Sequence, residues 1–326
     1  MSQNIINYGI IGFGEYAERR LIPAFGRSQH CRLLAISRRQ LPAARLSARD
    51  HNIPYYYSSP EEIVKNSEIS AVIVTTPPAF HCEHSLLAAS HGKHVLLEKP
   101  MTTSAKEMEK IITECKRNRV KLMSAFVMRF IDAIQTTKEL LQNELLGELS
   151  YAGGILGINA RKSKRSWLED PLISSGGVVA DLGSHFLDLL EFITSSRICQ
   201  MKSILQPKYS KRHIDKNAVI SLELENGAVG NLFLSFTILR ECGLTFLGSK
   251  GKLSLQNFNK PEAEVELQLT TERGTENIQI LNRNYYTMML DHFARAILFD
   301  EPILTPGESG WHNQQLIDKI YQRKYK

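Results

Sequence analysis

The sequence predicts an α/β protein of two domains: a doubly wound parallel sheet, then an α+β domain with a largely antiparallel, open sheet. The chain has 326 residues, 43% hydrophobic and 23% charged, which is ordinary globular composition and too long for one core. Apolar runs alternate with helical patterns up to residue 123, and strand-like stretches follow one another after residue 146. We therefore expect one domain over residues 1–123 and another over residues 124–326, with the C-terminal helices able to pack back on the first domain.

The first domain is predicted from short apolar runs that end at glycine, proline or polar residues. They are Tyr8–Ile11, Leu33–Ile36, Ala71–Val74, His94–Leu97 and Val120–Met123. The segments between them have helical spacing, as from Ser104 to Arg119, where the apolar side chains share one face. Continuous apolar strands separated by helices are typical of a parallel sheet covered on both faces, with right-handed crossovers.

The second domain is predicted from strand-like stretches with few helices between them. They are Leu149–Asn159, Ile198–Leu205, Ala218–Leu224, Val229–Phe236, Leu244–Leu247, Lys252–Leu255, Ala263–Thr270 and Glu276–Leu281. The pair Asn226-Gly227 predicts a type I′ hairpin, and the segment from Gly248 to Gly251 predicts a second tight connection. A helical pattern from Ala180 to Ile193 interrupts the strands, and two helices, Tyr286–Leu298 and Gly310–Tyr325, close the chain.

Composition argues against several classes of protein. No apolar run approaches the roughly 20 residues that span a bilayer, so no membrane association is expected. The N-terminus lacks the basic segment and cleavage site of a signal peptide. The five cysteines are scattered and form no CxxC pair, which is typical of reduced thiols in the cytoplasm.

The formal net charge is +6, and the densest basic segment runs from Arg161 to Arg165, beside Trp167. This segment is either a solvated loop or a site for an anionic group of a substrate or cofactor. No helix-turn-helix, zinc-finger or RNA-recognition signature occurs in the sequence. We therefore expect no nucleic-acid partner.

A glycine turn, Gly12-Phe13-Gly14-Glu15-Tyr16-Ala17, follows the first strand and opens a helix. Gly12 permits a tight turn, Gly14 lets the backbone approach a pyrophosphate, and Ala17 allows close packing of the helix on the sheet. Glycines at such a turn are often only structural, but a preceding strand and a following helix favour a dinucleotide site at the helix N-terminus. Pro23 predicts a kinked or shortened helix.

The second strand is followed by Ser37, Arg38 and Arg39. An NAD-specific site usually has an acidic residue at this place, which binds the ribose hydroxyl. A hydroxyl and two guanidinium groups suit a 2′-phosphate, because arginine binds phosphate through a bidentate fork. The alternative is an exposed basic turn. We expect NADP(H) to be preferred, with NAD(H) as the alternative cofactor.

Two further motifs carry side chains suited to chemistry. Glu98-Lys99-Pro100 ends a parallel strand, at the edge where ligands of such sheets bind, and Lys99 could stabilise negative charge on a substrate oxygen. Asp181 and His185 are four residues apart on one predicted helix, so the carboxylate could orient the imidazole for proton transfer. The alternatives are a solvated lysine and an ordinary helix histidine.

A metal site is less well supported than metal-free hydride transfer, and we expect no metal. The sequence has no HExxH or CxxC motif. His81, Glu83 and His84 have no fixed relation to Asp181 and His185 from sequence alone.

Together these motifs resemble the glucose–fructose oxidoreductase, inositol dehydrogenase and rhizopine-catabolism (GFO/IDH/MocA) family, nearly from end to end. The matching segments are the glycine turn, Thr76–His81, Gly92–Pro100, Gly177–Asp188 and a closing pattern from Tyr286 to Gly307. The resemblance implies an N-terminal Rossmann domain and a sheet-based second domain that lines the substrate pocket and often mediates oligomerisation. It also implies a cis Lys99–Pro100 peptide bond. One departure concerns Pro77-Pro78-Ala-Phe-His81, where the family often has Pro-Asn-x-x-His, so an amide near the nicotinamide is missing.

The resemblance and the motifs together assign the site residues. The catalytic residues are Lys99, Asp181 and His185. The substrate-binding residues are these three with Arg129 and Trp167. The cofactor-binding residues are Gly12, Phe13, Gly14, Glu15, Tyr16, Ser37, Arg38, Arg39, Thr75, Thr76, Pro77, His81, Glu98 and Lys99.

The sequence thus predicts a cytoplasmic NADP(H)-dependent dehydrogenase or reductase that acts on a carbinol or carbonyl carbon of a sugar, polyol or sugar derivative. The partner is a small sugar-like substrate, and a homo-oligomer, dimer or tetramer, is expected through the C-terminal sheet. One alternative is a dinucleotide-binding regulatory protein of the same fold without turnover. Another is a reductase of an imine or dihydrodiol.

Overall fold

The computed structural model describes residues 4–160, 165–210 and 212–322. These residues form two compact units. One contains the chain up to Ala125 together with Tyr286–Gln315, and the other contains Phe126–Tyr285 and the residues from Leu316 onwards.

The first unit is built on a parallel sheet of six strands in the order β3-β2-β1-β4-β5-β6. The strands are β1 (Ile6–Ile11), β2 (Cys31–Ser37), β3 (Tyr55–Tyr57), β4 (Ala71–Val74), β5 (His94–Leu97) and β6 (Leu122–Ser124). The order reverses at β1, which confirms the predicted doubly wound sheet. Strand β3 was not predicted, because it is a three-tyrosine edge strand that is not fully buried and forms no aliphatic run.

Ten α-helices occur in the described parts of the chain. They are α1 (Ile22–Arg27), α2 (Leu41–Asp50), α3 (Pro60–Lys65), α4 (His81–Ser90), α5 (Ala105–Arg117), α6 (Asp132–Gln142), α7 (Pro171–Ser174), α8 (Ser184–Thr194), α9 (Tyr285–Phe299) and α10 (Gly307–Ile320). The predicted end of the last helix, at Tyr325, lies outside the described residues.

The helix after the glycine turn is interrupted as Pro23 predicts. A π-turn over Ala17–Leu21 lies within this helix, where the Ile22 amide donates to the Ala17 carbonyl, and Pro23 follows at the second position of α1. The chain from Tyr286 to Gln315 completes this unit, since Trp311 donates to Glu109 at 3.1 Å and the Ser124 amide donates to the Thr305 carbonyl at 2.8 Å.

The second unit is built on an eight-stranded sheet in the order β14-β13-β12-β11-β7-β10-β9-β8. The strands are β7 (Leu149–Asn159), β8 (Ile198–Gln206), β9 (Asn217–Leu224), β10 (Val229–Ser235), β11 (Thr237–Gly248), β12 (Gly251–Gln256), β13 (Ala263–Thr271) and β14 (Gly274–Asn282). Only the β7–β10 pair is parallel among these ladders, so the predicted antiparallel-rich sheet is confirmed.

Helices cover one face of this sheet. Phe186 of α8 lies so close to β7 that a Cβ on Gly154 would come within 2.9 Å of its ring. The other face carries a row of apolar side chains in cross-strand register: Ile204, Val219, Phe233 and Ile155. Three of these four are well exposed, Ile204 by 75% and both Val219 and Ile155 by 42%. We call them the open-face row.

The two predicted hairpins differ in outcome. The tight connection between Gly248 and Gly251 is confirmed, since these residues pair directly across β11 and β12. The prediction of a type I′ turn at Asn226-Gly227 is wrong. Such a turn needs a positive φ at both residues, and only Gly227 has one, at 86°. The Gly227 amide instead donates to the Leu224 carbonyl at 2.9 Å, so a type I turn is followed by glycine in the left-handed region.

No α-helix within residues 4–160, 165–210 and 212–322 combines the length and the apolar character that crossing a membrane requires.

Gly230 in β10 tests the packing of the second sheet. A Cβ at this position would lie 1.8 Å from the Ala152 carbonyl oxygen, whereas one at Gly26 in α1 would meet nothing within 4 Å. We expect Gly230→Ala to lower the free energy of unfolding by about 1–3 kcal/mol through overpacking. Gly26→Ala, the control, should leave it unchanged or raise it by about 0.5–1 kcal/mol. Urea unfolding checks both, and equal midpoints for Gly230→Ala and wild type would contradict the steric argument.

Candidate active site

The glycine turn is joined to the ends of the neighbouring strands. Gly12 has a φ of 89°, and a Cβ there would lie 2.5 Å from Thr76 Cγ2 and 2.8 Å from the Thr76 amide nitrogen. The amides of Gly12 and Phe13 donate to the Ser37 carbonyl at 3.2 and 2.9 Å. The Thr75 hydroxyl donates to the Gly12 carbonyl at 3.0 Å. Glycine is therefore required at position 12 by both conformation and space.

Gly14 has a different environment, because a Cβ there would meet only the Gly12 carbonyl oxygen, at 3.9 Å. Apart from its chain neighbours, no other described protein atom lies within 4 Å of that Cβ position. The helix begins at the next residue, and the first amides of a helix have no partner within it. Phe13 is buried and Glu15 is exposed, with a 3.4 Å ion pair to Arg19. The backbone at Gly14 is therefore accessible on this side, and a pyrophosphate site at the turn stays a prediction.

The three residues at the end of β2 have different exposures. Ser37 is buried, Arg38 is half-buried, and Arg39 is exposed. Arg38 donates through Nη1 to the Ser47 hydroxyl of α2 at 2.7 Å, which holds its guanidinium beside that helix. A phosphate bound here would meet one ordered guanidinium and one exposed guanidinium.

The segment after β4 is held by His81. This buried imidazole lies 2.9 Å from the Met101 carbonyl oxygen through Nδ1 and 2.5 Å from the Thr76 carbonyl oxygen through Nε2. Burial lowers the pKa of His81 to about 4, and its contacts with the Met101 and Thr76 carbonyls oppose that shift. These contacts show that His81 links Thr76 and the half-buried Pro77 to the loop that follows Lys99.

Glu98 links the glycine turn to the end of β5. The Tyr16 hydroxyl donates to Glu98 Oε1, and the Lys99 amide donates to Oε2 at 3.2 Å. Burial raises the pKa of Glu98, and the Tyr16 hydroxyl and the Lys99 charge oppose that shift. The Tyr286 ring lies edge-on to Tyr16 at 6.4 Å, and burial raises the pKa of Tyr286 to about 12. Lys99 is partly exposed at this strand end, and the Lys99–Pro100 bond is cis, as the resemblance implied.

In the second unit, Asp181 lies in a π-turn over Val179–Gly183 that leads into α8. Its carboxylate is buried and accepts two hydrogen bonds from Arg165, at 3.2 Å from Nη1 to Oδ1 and 2.8 Å from Nη2 to Oδ2. The Arg165 guanidinium also lies 5.6 Å from the centroid of the Trp167 ring. His185, one helical turn further on, is buried. Single π-turns within helices are frequent at functional sites.

Arg129, a predicted substrate-binding residue, has a carboxylate partner in the same unit. It forms a bidentate pair with buried Asp188, at 2.9 Å from Nε to Oδ2 and 2.6 Å from Nη2 to Oδ1. The Phe192 ring lies 4.8 Å from the guanidinium. Burial raises the pKa of Asp188, and the Arg129 charge opposes that shift. The geometry therefore gives Arg129 a structural partner, which the sequence did not indicate.

The remaining sequence predictions concern the basic loop and metals. Arg161–Lys164 lie outside the described residues, so only Arg165 and Trp167 of the predicted basic segment are placed. Among the described residues, no group of three or more His, Cys, Asp or Glu side chains could hold a metal ion.

Comparison with known proteins finds a family match in each of the two units. Residues 6–126 match the model of the oxidoreductase family with an NAD-binding Rossmann fold, and residues 134–254 match the GFO/IDH/MocA C-terminal domain. An oxidoreductase from Formosa agariphila is 32% identical over 57% of this chain and 59% of its own length, so the match spans about three fifths of that relative. The trans-1,2-dihydrobenzene-1,2-diol dehydrogenase of Sus scrofa is 28% identical over 76% of this chain and 71% of its own length.

Two solved structures share the fold. An aldose-aldose oxidoreductase from Caulobacter crescentus, complexed with glycerol, has a TM-score of 0.89 at 22% identity, covering 98% of this chain and 97% of its own. KijD10, a 3-ketoreductase from Actinomadura kijaniata solved with NADP, has a TM-score of 0.88 at 19% identity with the same coverage. The two family models cover consecutive parts of the chain, in the order and with the folds described above. The chain therefore belongs to the GFO/IDH/MocA family of NAD(P)-dependent oxidoreductases.

Proposed function

We propose that this protein is an NADP(H)-dependent oxidoreductase acting on a carbinol or carbonyl carbon of a sugar, polyol or sugar derivative. The observation that carries the proposal is the Tyr16–Glu98 hydrogen bond. Tyr16 lies two residues after Gly14, and Glu98 directly precedes Lys99. The bond therefore sets an open pyrophosphate turn and a candidate catalytic lysine side by side on the carboxyl edge of one sheet. Ligands of open α/β sheets bind at that edge.

The preference for NADP(H) rests on the residues that follow β2. Arg38 and Arg39 supply two cations and no carboxylate, and the contact with Ser47 orders one of them. KijD10 was solved with NADP, which is consistent with this preference but comes from a protein only 19% identical. Gly12–Tyr16 would hold the pyrophosphate, and the Thr75–Pro77 segment, fixed by His81, would line the nicotinamide end.

The bound nicotinamide would supply or accept the hydride. Lys99 would donate a hydrogen bond to the substrate oxygen and stabilise negative charge on it. His185 would exchange the hydroxyl proton as general acid or base. Asp181 would orient the imidazole of His185. The Arg165 guanidinium holds both oxygens of the Asp181 carboxylate. In this scheme His81 and Glu98 position the cofactor site, and Arg129 supports α8 through Asp188.

The substrate class is proposed from the relatives together with the site. The Caulobacter crescentus enzyme is named for aldoses, and its structure holds glycerol. Trp167 and Arg165, beside Asp181, supply an aromatic surface and hydrogen-bond donors that suit a polyhydroxylated ligand. The Sus scrofa relative favours a dihydrodiol as the second candidate. Oxidation of a panel of aldoses, inositols and trans-dihydrodiols with NADP distinguishes them.

The proposed location is the cytoplasm and the proposed assembly is a homo-oligomer. All five cysteines are free thiols, as a reducing compartment allows. The open-face row is an exposed apolar strip on adjacent strands β8, β9, β10 and β7, and such strips mark association sites. We propose that a second copy of the chain covers it, because a two-fold interface pairs one patch with itself.

Cofactor selectivity should depend on Arg38. Removing its guanidinium in Arg38→Ala should weaken NADP(H) by about 10- to 100-fold, the value of a lost charge-assisted hydrogen bond, and change NAD(H) affinity by less. Fluorescence titration with both cofactors measures this. Arg32→Ala, on the exposed opposite end of β2, is the matched control and should change neither. Equal affinities of the wild type for NADP(H) and NAD(H) would overturn the assignment.

Turnover should depend on His185 while cofactor binding does not. A positioned acid–base group contributes about 10²–10⁴-fold, so His185→Ala should lower kcat by that order and leave NADP(H) affinity within about twofold. Steady-state kinetics on the identified substrate and a cofactor titration check the two parts. His213→Ala, at an exposed histidine of the same unit, should behave as wild type. Near-normal turnover of His185→Ala would rule out this mechanism, and no turnover by the wild type on any substrate would favour a regulatory role.

The oligomer should depend on the open-face row. Ile204→Glu with Val219→Glu puts two charges into the row at exposed positions and should convert the wild-type oligomer to a monomer. The control is Leu239→Glu, which changes an apolar residue that is 85% exposed and lies outside the row. Size-exclusion chromatography with light scattering measures the mass. A monomeric wild type, or an unchanged mass for the double variant, would reject this interface.

A further inference from the structure

The start of the segment that carries Asp181 is held by a side chain from another part of the second unit. The buried carboxylate of Asp215 accepts the Gly177 amide through Oδ1 at 2.9 Å and the Val179 amide through Oδ2 at 2.9 Å. Its carbonyl accepts the Val178 amide at 2.8 Å. Three successive amides therefore bind one residue. Such amides at a helix start otherwise have no partner in the helix.

Tyr321, near the end of α10, completes this arrangement. Its hydroxyl donates to Asp215 Oδ1 at 2.7 Å and accepts the amides of Gly177 and Ala180 at 3.0 and 3.2 Å. Burial raises the pKa of Asp215, and the Tyr321 hydroxyl and the Val179 and Gly177 amides oppose that shift. A carboxylate with three hydrogen bonds can remain ionised where an isolated one could not.

Two glycines make the close contact of this segment feasible. A Cβ at Gly177 would lie 2.0 Å from the Asp215 carbonyl oxygen, and one at Gly176 would lie 2.5 Å from the Tyr321 hydroxyl. Gly176 also has a φ of 129°, which L side chains rarely adopt. The segment therefore reaches Asp215 and Tyr321 only with glycine at both positions. This accounts for the Gly-Gly pair that stands three residues ahead of the Asp181–His185 motif.

We propose that Asp215 and Tyr321 are positioning residues that set the orientation of Asp181 relative to His185. The inference rests on the proposed function, which assigns the chemistry to those two residues. Asp181 lies inside the π-turn Val179–Gly183, and the anchored amides lie at its beginning. Without these contacts the first amides of the π-turn would lose their partners, and the turn that carries Asp181 would be free to shift relative to α8, which carries His185. The anchor therefore fixes the segment that carries Asp181 relative to the helix that carries His185.

The experiment compares two tyrosines that both donate from a buried or part-buried hydroxyl. Tyr321→Phe removes the hydroxyl from the anchor and keeps its ring beside Tyr209, whose centroid lies 4.2 Å away. Tyr285→Phe removes a 3.0 Å hydrogen bond to the Asn259 carbonyl in the same unit and is the matched control. Hydrogen exchange of peptides that contain Gly177–Gly183, NADP affinity, kcat and KM are measured for both variants.

We expect Tyr321→Phe to speed exchange in Gly177–Gly183 and to lower kcat by about 10- to 100-fold, as misplaced catalytic groups do, with KM and NADP affinity within about twofold. Tyr285→Phe should match wild type in all of these. Asp215→Asn, which keeps the side-chain size, should have the same effects in a stronger form. Wild-type exchange and kcat in Tyr321→Phe would overturn the inference.

The same measurements separate this inference from the proposed function. If the wild type turns over no substrate, the proposed function fails, and if His185→Ala retains full turnover, the proposed role of His185 fails. In both cases the exchange rates still report whether Tyr321 anchors the segment. If His185→Ala is inactive and Tyr321→Phe is normal in exchange and kcat, the function stands and the positioning role is rejected.

Discussion

Burial of carboxylates is the constraint on which both candidate sites depend. An ionised carboxylate loses its hydration when buried and needs hydrogen bonds or an opposite charge in return. Each buried carboxylate near the sites has such a partner from elsewhere in the sequence: Glu98 has Tyr16, Asp181 has Arg165, Asp188 has Arg129, and Asp215 has Tyr321. Since losing one partner would leave a buried charge uncompensated, these pairs fix the segments that carry them.

The buried carboxylates hold different segments in the two units. In the first unit, the Tyr16–Glu98 bond joins the glycine turn of β1 to the end of β5, and Lys99 follows directly. In the second unit, Asp215 holds the start of the π-turn that leads into α8, Arg165 binds Asp181 within that turn, and Arg129 binds Asp188 on α8 itself. Both candidate sites adjoin a π-turn, at Ala17–Leu21 and Val179–Gly183, a geometry that persists where the surroundings over-determine it.

Several residues that resemble active groups in the sequence have structural partners. His81 places both ring nitrogens near backbone carbonyls, and Arg129 donates to Asp188 through Nε and Nη2. Residue type and spacing indicate which side chains could do chemistry, but a buried partner decides whether they are available for it. Arg165 is the opposite case. In the sequence it belongs to a basic segment with no assigned partner, and in the structure it pairs with Asp181 of the candidate site.

The sequence by itself determined the features that depend on local periodicity and backbone conformation. These are the parallel and antiparallel sheets, most strand positions, the glycine turn and the motifs that identify the family. Only the tertiary structure decided the edge strand β3, the turn at Gly227 and the partners of Glu98, Asp181, Asp188 and Asp215. Tyr321 lies 106 residues from Asp215, and no local pattern relates them. A hydrogen bond between distant side chains depends on how the intervening elements pack, whereas periodicity depends on each element alone.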